Sequence, residues 1–278
     1  MDFQAPIDYL VIGHISLDRT AAGPIIGGTA AYSAATAKIL GCRTAVVTRY
    51  ADIDQMDAWL PDVKVYNIAS PATTTFENIY EPDGRVQFIH AVAGDIGVED
   101  IPLSWQRTKI AHLGPIANEI DPRVIGLFSN SIVGLTPQGW MRRWDNQGRV
   151  FARYWDEANA YLPLSAATFI SDEDLVKPVM LDHFRRFSKV LVMTQGPAGC
   201  IVYFGGEVRS FPAPKVNAVD TTGAGDIFAT AYLVRLHQTA GDPWESARFA
   251  NDIAAQSVTG RGLADKMLIL NEYLSRGD

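Results

Sequence analysis

At 278 residues the chain is long enough for one large domain or two small ones, and its composition, 47% hydrophobic and 20% charged, is that of an ordinary globular protein. The formal net charge of −7, from 24 Lys and Arg against 31 Asp and Glu, argues against a polyanionic partner, so no nucleic acid is expected. Two cysteines, Cys42 and Cys200, are too few for a disulfide framework and lack metal-ligand spacing, which fits a reducing, cytoplasmic setting.

The opening MDFQAPIDYLVIGHISLD carries no basic region or small-residue cleavage site, and YLVIG is far too short to span a bilayer. It reads as the first buried strand, with no targeting signal. AAYSAATAKIL follows as a helix that is small on one face and stopped by Gly41, and TAVVT as a second strand. TTTFENIYEPDGRVQFIHA holds two alternating runs around Asp83-Gly84, the pattern of a hairpin with one wet face, suited to a flap. KIAHL, SIVGLT and KVLVMT are short β-branched strands, and CIVYFGGEVRSF is a second hairpin around Gly205-Gly206. Residues 243–259, PWESARFANDIAAQSVT, form a helix with Pro243 in its first turn. Strands separated by helical segments predict a parallel sheet with crossover helices, covered on both faces. No repeat, low-complexity tract or linker divides the chain, so one α/β domain over 1–278 with a β flap is expected.

The stretch VDTTGAGD (219–226), followed by the helix-forming run IFATAYLVRL, carries the chemistry. It reads either as a turn with an Asp helix cap or as an anion site. For the second, Gly223 and Gly225 let backbone N–H groups face a ligand, and the helix start adds unpaired donors and a positive dipole end. Asp226, in that positive field, should stay ionised and accept a proton from a hydroxyl beside the phosphate, which are the parts phosphoryl transfer needs. No G-x-G-x-x-G follows an early strand and no G-x-x-x-x-G-K-[ST] occurs, which argues against a Rossmann dehydrogenase and a P-loop enzyme.

DTTGAGD resembles the D-T-x-G-A-G-D signature of the PfkB/ribokinase family of small-molecule kinases, matching at Asp220, Thr221, Gly223, Ala224, Gly225 and Asp226. The resemblance implies a ribokinase-like three-layer α/β/α fold, mainly parallel, with a small β-sheet lid. Only eight residues separate Asp18 from Gly27, so the lid should be reduced and built from about 19–26 and 73–91, which makes a homodimer plausible. It implies Asp226 as catalytic base, Gly223, Ala224 and Gly225 as the anion hole, ATP and Mg2+ as donor and cofactor, and a monovalent cation such as K+ held by carbonyls around Thr222 and Gly262. Asp18, at the end of G-H-I-S-L-D, would bind acceptor hydroxyls, although a turn Asp explains the same letter. Gly27 and Gly28 match the first signature, and Tyr32 stands where the family often has an acceptor-binding Asn. TFISDEDL takes the place of N-x-x-E, with Ser171 for the Asn and Asp174 or Glu173 for the acid near the metal, while a helix cap accounts for it equally. Thr194, Gly196 and Gly199 would line the nucleotide, and Asn251 would lie near the adenine or simply pack.

HLGPIANEI (112–120) and GLTPQGWMR (134–142) are similar to the branch containing myo-inositol kinases, with Thr136 in place of an acid. They offer Asn118 and Arg142 as contacts to substrate or phosphate, against a solvated helix-end role for Arg142. The implied activity is transfer of a γ-phosphoryl group to a hydroxyl of a sugar, cyclitol or nucleoside. The rival reading is a catalytically inactive ligand-binding protein on the same fold.

Overall fold

The computed structural model describes residues 6–51, 56–81, 84–175 and 178–276. The first five residues of the opening segment, and Asp83 of the first expected hairpin turn, lie outside the described residues.

In chain order the strands are β1 (Tyr9–Ile12), β2 (Ser16–Thr20), β3 (Gly23–Gly27), β4 (Thr44–Thr48), β5 (Lys64–Asn67), β6 (Thr75–Glu81), β7 (Gly84–Ala91) and β8 (Ile110–Leu113). They continue as β9 (Ile132–Leu135), β10 (Arg142–Trp144), β11 (Val150–Ala152), β12 (Ala167–Ser171), β13 (Val190–Thr194), β14 (Cys200–Phe204) and β15 (Glu207–Phe211). The helices are α1 (Thr29–Ile39), α2 (Met56–Trp59), α3 (Ala158–Tyr161), α4 (Pro178–Phe187), α5 (Ala224–Gln238), α6 (Pro243–Ser257) and α7 (Gly262–Ser275).

Among the described residues a nine-stranded sheet runs in the order β15-β14-β13-β12-β9-β8-β1-β4-β5. Its pairs are parallel except at the β13–β14–β15 edge, where Gly205 and Gly206 close the second hairpin. The strands read as unbroken apolar runs because successive residues enter two different cores. Tyr9, Val11, Val46, Val190 and Val192 face α1, α5, α6 and α7. Leu10, Ile12, Val47, Leu191 and Met193 face α3, α4 and three buried tryptophans, Trp105, Trp140 and Trp155. The expected three layers are therefore present, and ATFIS, read from sequence only as a motif, is the interior strand β12.

A four-stranded sheet, β3-β2-β6-β7, stands beside the large one. Its small core, Phe76 and Ile89 with Ile116 and Ala117, rests on the segment that follows β8. The β10–β11 hairpin extends it through the Phe88–Arg149 bridge. His14, just past β1, joins the two sheets: its Nε2 meets Gly94 C=O at 2.8 Å and its Nδ1 the Thr74 hydroxyl at 2.7 Å.

Among the described residues no helix is long and apolar enough to cross a membrane. The 243–259 helix begins as expected, with Asp242 accepting from Trp244 N–H (2.9 Å) and Glu245 N–H (3.1 Å) ahead of Pro243. Asp242→Ala should lower stability by about 1 kcal/mol, read as a lower denaturant midpoint at unchanged slope.

Candidate active site

The carboxyl ends of β1 and β8 lead to the small sheet, through His14 and the Ile116–Ala117 segment, while Ser171 and Thr194 end β12 and β13. Gly223 caps α5 in the left-handed conformation, φ 74°, with no side-chain cap. A Cβ at this position would come within 2.3 Å of the Tyr32 ring. Glycine is therefore required twice over, by dihedral and by space. The N–H of Ala224 is spent on Thr221 C=O (3.1 Å), which corrects the expectation that Ala224 donates to an anion. Among the described residues the N–H groups of Gly223, Gly225 and Asp226 meet no acceptor, as first-turn donors should.

Asp226 lies in that first turn and is not the helix cap, so the turn-with-cap reading fails. Burial pushes its carboxyl up to about 6, against a hydrogen bond from the Thr29 side chain and the charge of Arg142, which both work to lower it. Asp226 is thus ionised at neutral pH as expected, but it is a much weaker acid than the positive helix end alone would make it. Thr29, the first residue of α1, was not singled out from sequence. It fits because Gly114 has no side chain: a Cβ there would meet Thr29 Cγ2 at 2.3 Å.

Asp18, on β2, sits against the Gly27–Gly28 turn as expected. A Cβ on Gly27 would come within 2.5 Å of Asp18 Oδ2, and one on Gly28 (φ 88°) within 2.6 Å of His14 C=O. Arg142 is half-buried, donates to Ile116 C=O at 3.1 Å and lies over the Phe76 ring. It is not a solvated helix-end cation.

Three expectations change. Tyr32 is 1% exposed and its hydroxyl is buried with no hydrogen-bond partner among the described residues. Burial, with the nearby carboxylates of Asp220, Asp18 and Asp226, raises its phenol above the ordinary value. Tyr32 is the platform under the glycine loop and is not open to an acceptor. Asn118 is exposed in a left-handed conformation, accepts from Arg153 at 3.1 Å, and lines a cavity of about 370 Å3 with Glu99, Asp121 and Trp155. None of Asp18, Gly27, Gly28 or 223–226 lines that cavity, so the cavity beside Asn118 is not one it shares with Asp226. Asn251 is buried, its amide nitrogen on Phe211 C=O (3.0 Å) and near Cys200 Sγ (3.6 Å). It is a packing residue that ties α6 to the β14–β15 edge.

On the donor side, Thr194 ends β13 with its hydroxyl on Ile170 C=O at 3.3 Å, and Gly196 (φ 52°) and Gly199 (φ 99°) bound the turn that follows. Gly199 is also structural, since a Cβ would fall 2.0 Å from Phe211 C=O. Ser171 caps the short turn over Asp172–Asp174: it accepts from Glu173 N–H at 3.2 Å, and Asp174 accepts from Ser171 N–H at 3.0 Å and Gln138 Nε2 at 3.0 Å. The helix-cap account thus explains Ser171 and Asp174. Glu173 keeps an exposed carboxylate.

Beneath the site lie polar groups that carried no motif. Glu119 is 1% exposed; its Oε1 accepts from His14 N–H (3.0 Å) and Ile116 N–H (3.1 Å), and its Oε2 from Ile116 N–H (3.0 Å) and Ala117 N–H (2.7 Å). This fixes the end of β1 to the segment after β8. A second chain runs from Thr136 Oγ1 to His112 Nε2 (3.1 Å), from His112 Nδ1 to the Tyr9 hydroxyl (2.7 Å), and from there to Thr230 (3.2 Å) on α5. Burial lowers His112 to about 3, so the ring is a neutral spacer.

Asp220 opens the glycine loop. Burial alone would raise its carboxyl, but hydrogen bonds from Gly262 N–H and Thr222 N–H (2.9 Å each) and the Lys266 charge hold it below its ordinary value. Lys266, on α7, is fully buried and donates to the main-chain carbonyls of Asp220 and Ser257.

Residues 164–269 match the model of the pfkB family carbohydrate kinases. The chain is 28% identical over 254 residues to a cytidine kinase of Thermococcus kodakarensis, covering 82% of this chain and 87% of the relative. Its fold matches a pyrophosphate-dependent kinase of the ribokinase family, solved with a pyrophosphate analogue and myo-inositol (TM-score 0.80, 23% identity, 94% of this chain and 98% of the other). It also matches Arabidopsis thaliana ribokinase complexed with ribose and ATP (TM-score 0.68, 17% identity, 96% and 99%). With the glycine loop, the helix-borne aspartate and the two-sheet architecture in place, the chain has the ribokinase-like fold and matches the pfkB family of carbohydrate kinases over 164–269, and the named kinases it resembles support a phosphotransferase with a hydroxyl acceptor.

Proposed function

We propose that the chain transfers the γ-phosphoryl group of ATP to a hydroxyl of a small polyol, a sugar, cyclitol or nucleoside. The observation that carries this reading is the seat of Asp226, a half-buried carboxyl held by Thr29 and pushed up to about 6 by burial, in the same helical turn as N–H groups that have no acceptor among the described residues. A base for this transfer must be ionised at working pH yet basic enough to take a proton late in the reaction, and a value near 6 meets both demands better than an ordinary Asp.

In this reading the acceptor lies against Asp18 and the Gly27–Gly28 turn, which orient its hydroxyl toward Asp226. Gly223 and Gly225 N–H groups receive the moving phosphoryl oxygens, and the Arg142 charge acts on the same spot. Thr194, Gly196 and Gly199 border the donor. Because phosphoryl transfer passes through a loose, largely dissociative transition state, positioning and fixed dipoles do most of the work and the base adds about 10²–10⁴ in rate. Magnesium, when bound with the donor, would supply charge neutralisation of its phosphates. The residues present suit an ion held mainly by those phosphates and water, with Glu173 as the accessible carboxylate of its stretch.

A second donor, pyrophosphate, is favoured by one observation: the amide nitrogen of Asn251, expected at an adenine, is committed to Phe211 C=O. A solved protein of the same fold is described as pyrophosphate-dependent.

Phosphate transfer to a panel of sugars, cyclitols and nucleosides, run in parallel with ATP and pyrophosphate, should give product with ATP for at least one acceptor. Product with pyrophosphate alone would replace the donor, and ligand-induced thermal shifts without product under either donor would favour a non-catalytic binder.

Asp226→Asn should lower kcat by about 10²–10⁴ with donor affinity retained. The wild-type rate should fall on an acid limb near pH 6 that the variant lacks. The same substitution should raise stability at pH 8: a carboxyl whose folded pKa exceeds its unfolded 3.8 loses stability as pH rises from there through about 6, and Asn carries no such loss. A less stable variant at pH 8 would contradict the desolvation argument.

Gly223→Ala should raise the donor KM by about tenfold or more, since the left-handed conformation alone costs roughly 1–2 kcal/mol before the contact with Tyr32 is counted.

A further inference from the structure

Lys266 is 0% exposed, and an ammonium ion withdrawn from water costs several kcal/mol unless it is well compensated. Packing of α7 would be met at lower cost by an apolar side chain. The compensation present is unusual in kind. Lys266 Nζ donates to Asp220 C=O and to Ser257 C=O (3.3 Å), while its distance to Asp220 Oδ2 is 3.9 Å, a looser approach than a direct ion pair. Main-chain carbonyls backed by one carboxylate are oxygen donors of the kind that hard cations take as ligands.

The same few residues lock the entrance to the glycine loop. Asp220 Oδ1 accepts from Thr222 N–H and Oδ2 from Gly262 N–H, 2.9 Å each. Val258 C=O accepts from Val219 N–H (2.7 Å) and Asp220 N–H (3.2 Å). The ammonium therefore sits where the segments at 219–222, 257–258 and 262 converge, three residues before Gly223. A monovalent cation held by carbonyls of this region was the expectation from the sequence; the carbonyl of Asp220 is instead occupied by a side chain of the protein itself.

We propose that Lys266 is the resident cation of the anion loop, a positioning residue that takes the place of a monovalent metal ion and makes the site independent of potassium. The inference rests on the kinase reading only where turnover is measured; anion binding and unfolding test it without any acceptor.

The experiment compares the full chain with Lys266→Ala and Lys266→Met in potassium, ammonium and tetramethylammonium chloride at equal ionic strength. The readouts are the thermal midpoint, the affinity for inorganic phosphate and, where turnover exists, kcat and donor KM. The wild type should change by less than about twofold among the three salts. Lys266→Ala should lose about tenfold in phosphate affinity in tetramethylammonium and regain most of it, with a higher thermal midpoint, in potassium or ammonium. Lys266→Met, which fills the space without a charge, should lose affinity and not regain it.

A role confined to packing α7 would lower the midpoint of both variants equally in every salt and leave phosphate affinity intact, which would overturn the proposal. So would a wild type that gains about fivefold or more from potassium. If Lys266→Ala folds only with potassium or ammonium the proposal stands. If it folds in none of the salts, Lys266→Met and the wild-type salt series decide.

Discussion

The contact between Gly223 and the Tyr32 ring sets the geometry on which the rest of the site depends. A helix that begins with a left-handed glycine needs no side-chain cap, so its first-turn N–H groups stay turned outward. The ring beneath fills the space a Cβ would take, so the loop cannot relax toward α1. The point at which α5 starts is thereby fixed, and Asp226 falls in the first turn, beside those donors and within reach of Thr29.

That placement has an energetic cost, which the surrounding polar groups contain. A carboxyl raised to about 6 marks a charge held in a poor solvent, and a mobile α5 would let it escape to water. The neutral His112 link between Thr136, Tyr9 and Thr230 ties α5 to β1, β8 and β9 from below. Glu119, by accepting from His14, Ile116 and Ala117, holds the strand ends on which Thr29 and Arg142 lean. Both networks are fully buried, where satisfied hydrogen bonds favour a single arrangement over several.

Much of the architecture was legible in the sequence because it is written in short-range patterns. Runs such as TAVVT and KVLVMT announce strands buried on two faces, and Gly205-Gly206 or Pro243 mark turns and helix starts through local backbone chemistry. VDTTGAGD was legible for the same reason: its meaning lies within eight consecutive residues. Thr29, Glu119, His112 and Lys266 were not, because each acts on a partner far away in the chain. His14 and Glu119 are 105 residues apart and Lys266 and Asp220 are 46 apart; only the sheet order brings them together. Ser171 and Asp174 erred in the opposite direction. Their letters fitted a local cap as well as a metal motif, and the backbone N–H groups close by claimed the side chains first.

Tyr32 shows why one changed letter within a familiar motif is informative. On the proposed reading an amide at this position would face the acceptor, whereas the phenol ring is too large to share that space with the glycine loop and is driven beneath it. On that reading acceptor recognition would fall on the Asp18 carboxylate, the backbone of Gly27 and Gly28, and the Arg142 guanidinium. Two of these belong to the small sheet or its junction with α1, and the third lies over Phe76, a core residue of that sheet. On the proposed reading, choice of acceptor is joined to the seating of the small sheet, which His14 holds through Thr74 and Gly94. The chemistry of transfer stays with α5 and the large sheet. On the proposed reading a substitution in β2 or β6 acts first on the acceptor side, because among the described residues the small sheet shares no strand with the large one, and it reaches Asp226 only through Arg142 over Phe76 and Thr29 beside the Gly27–Gly28 turn.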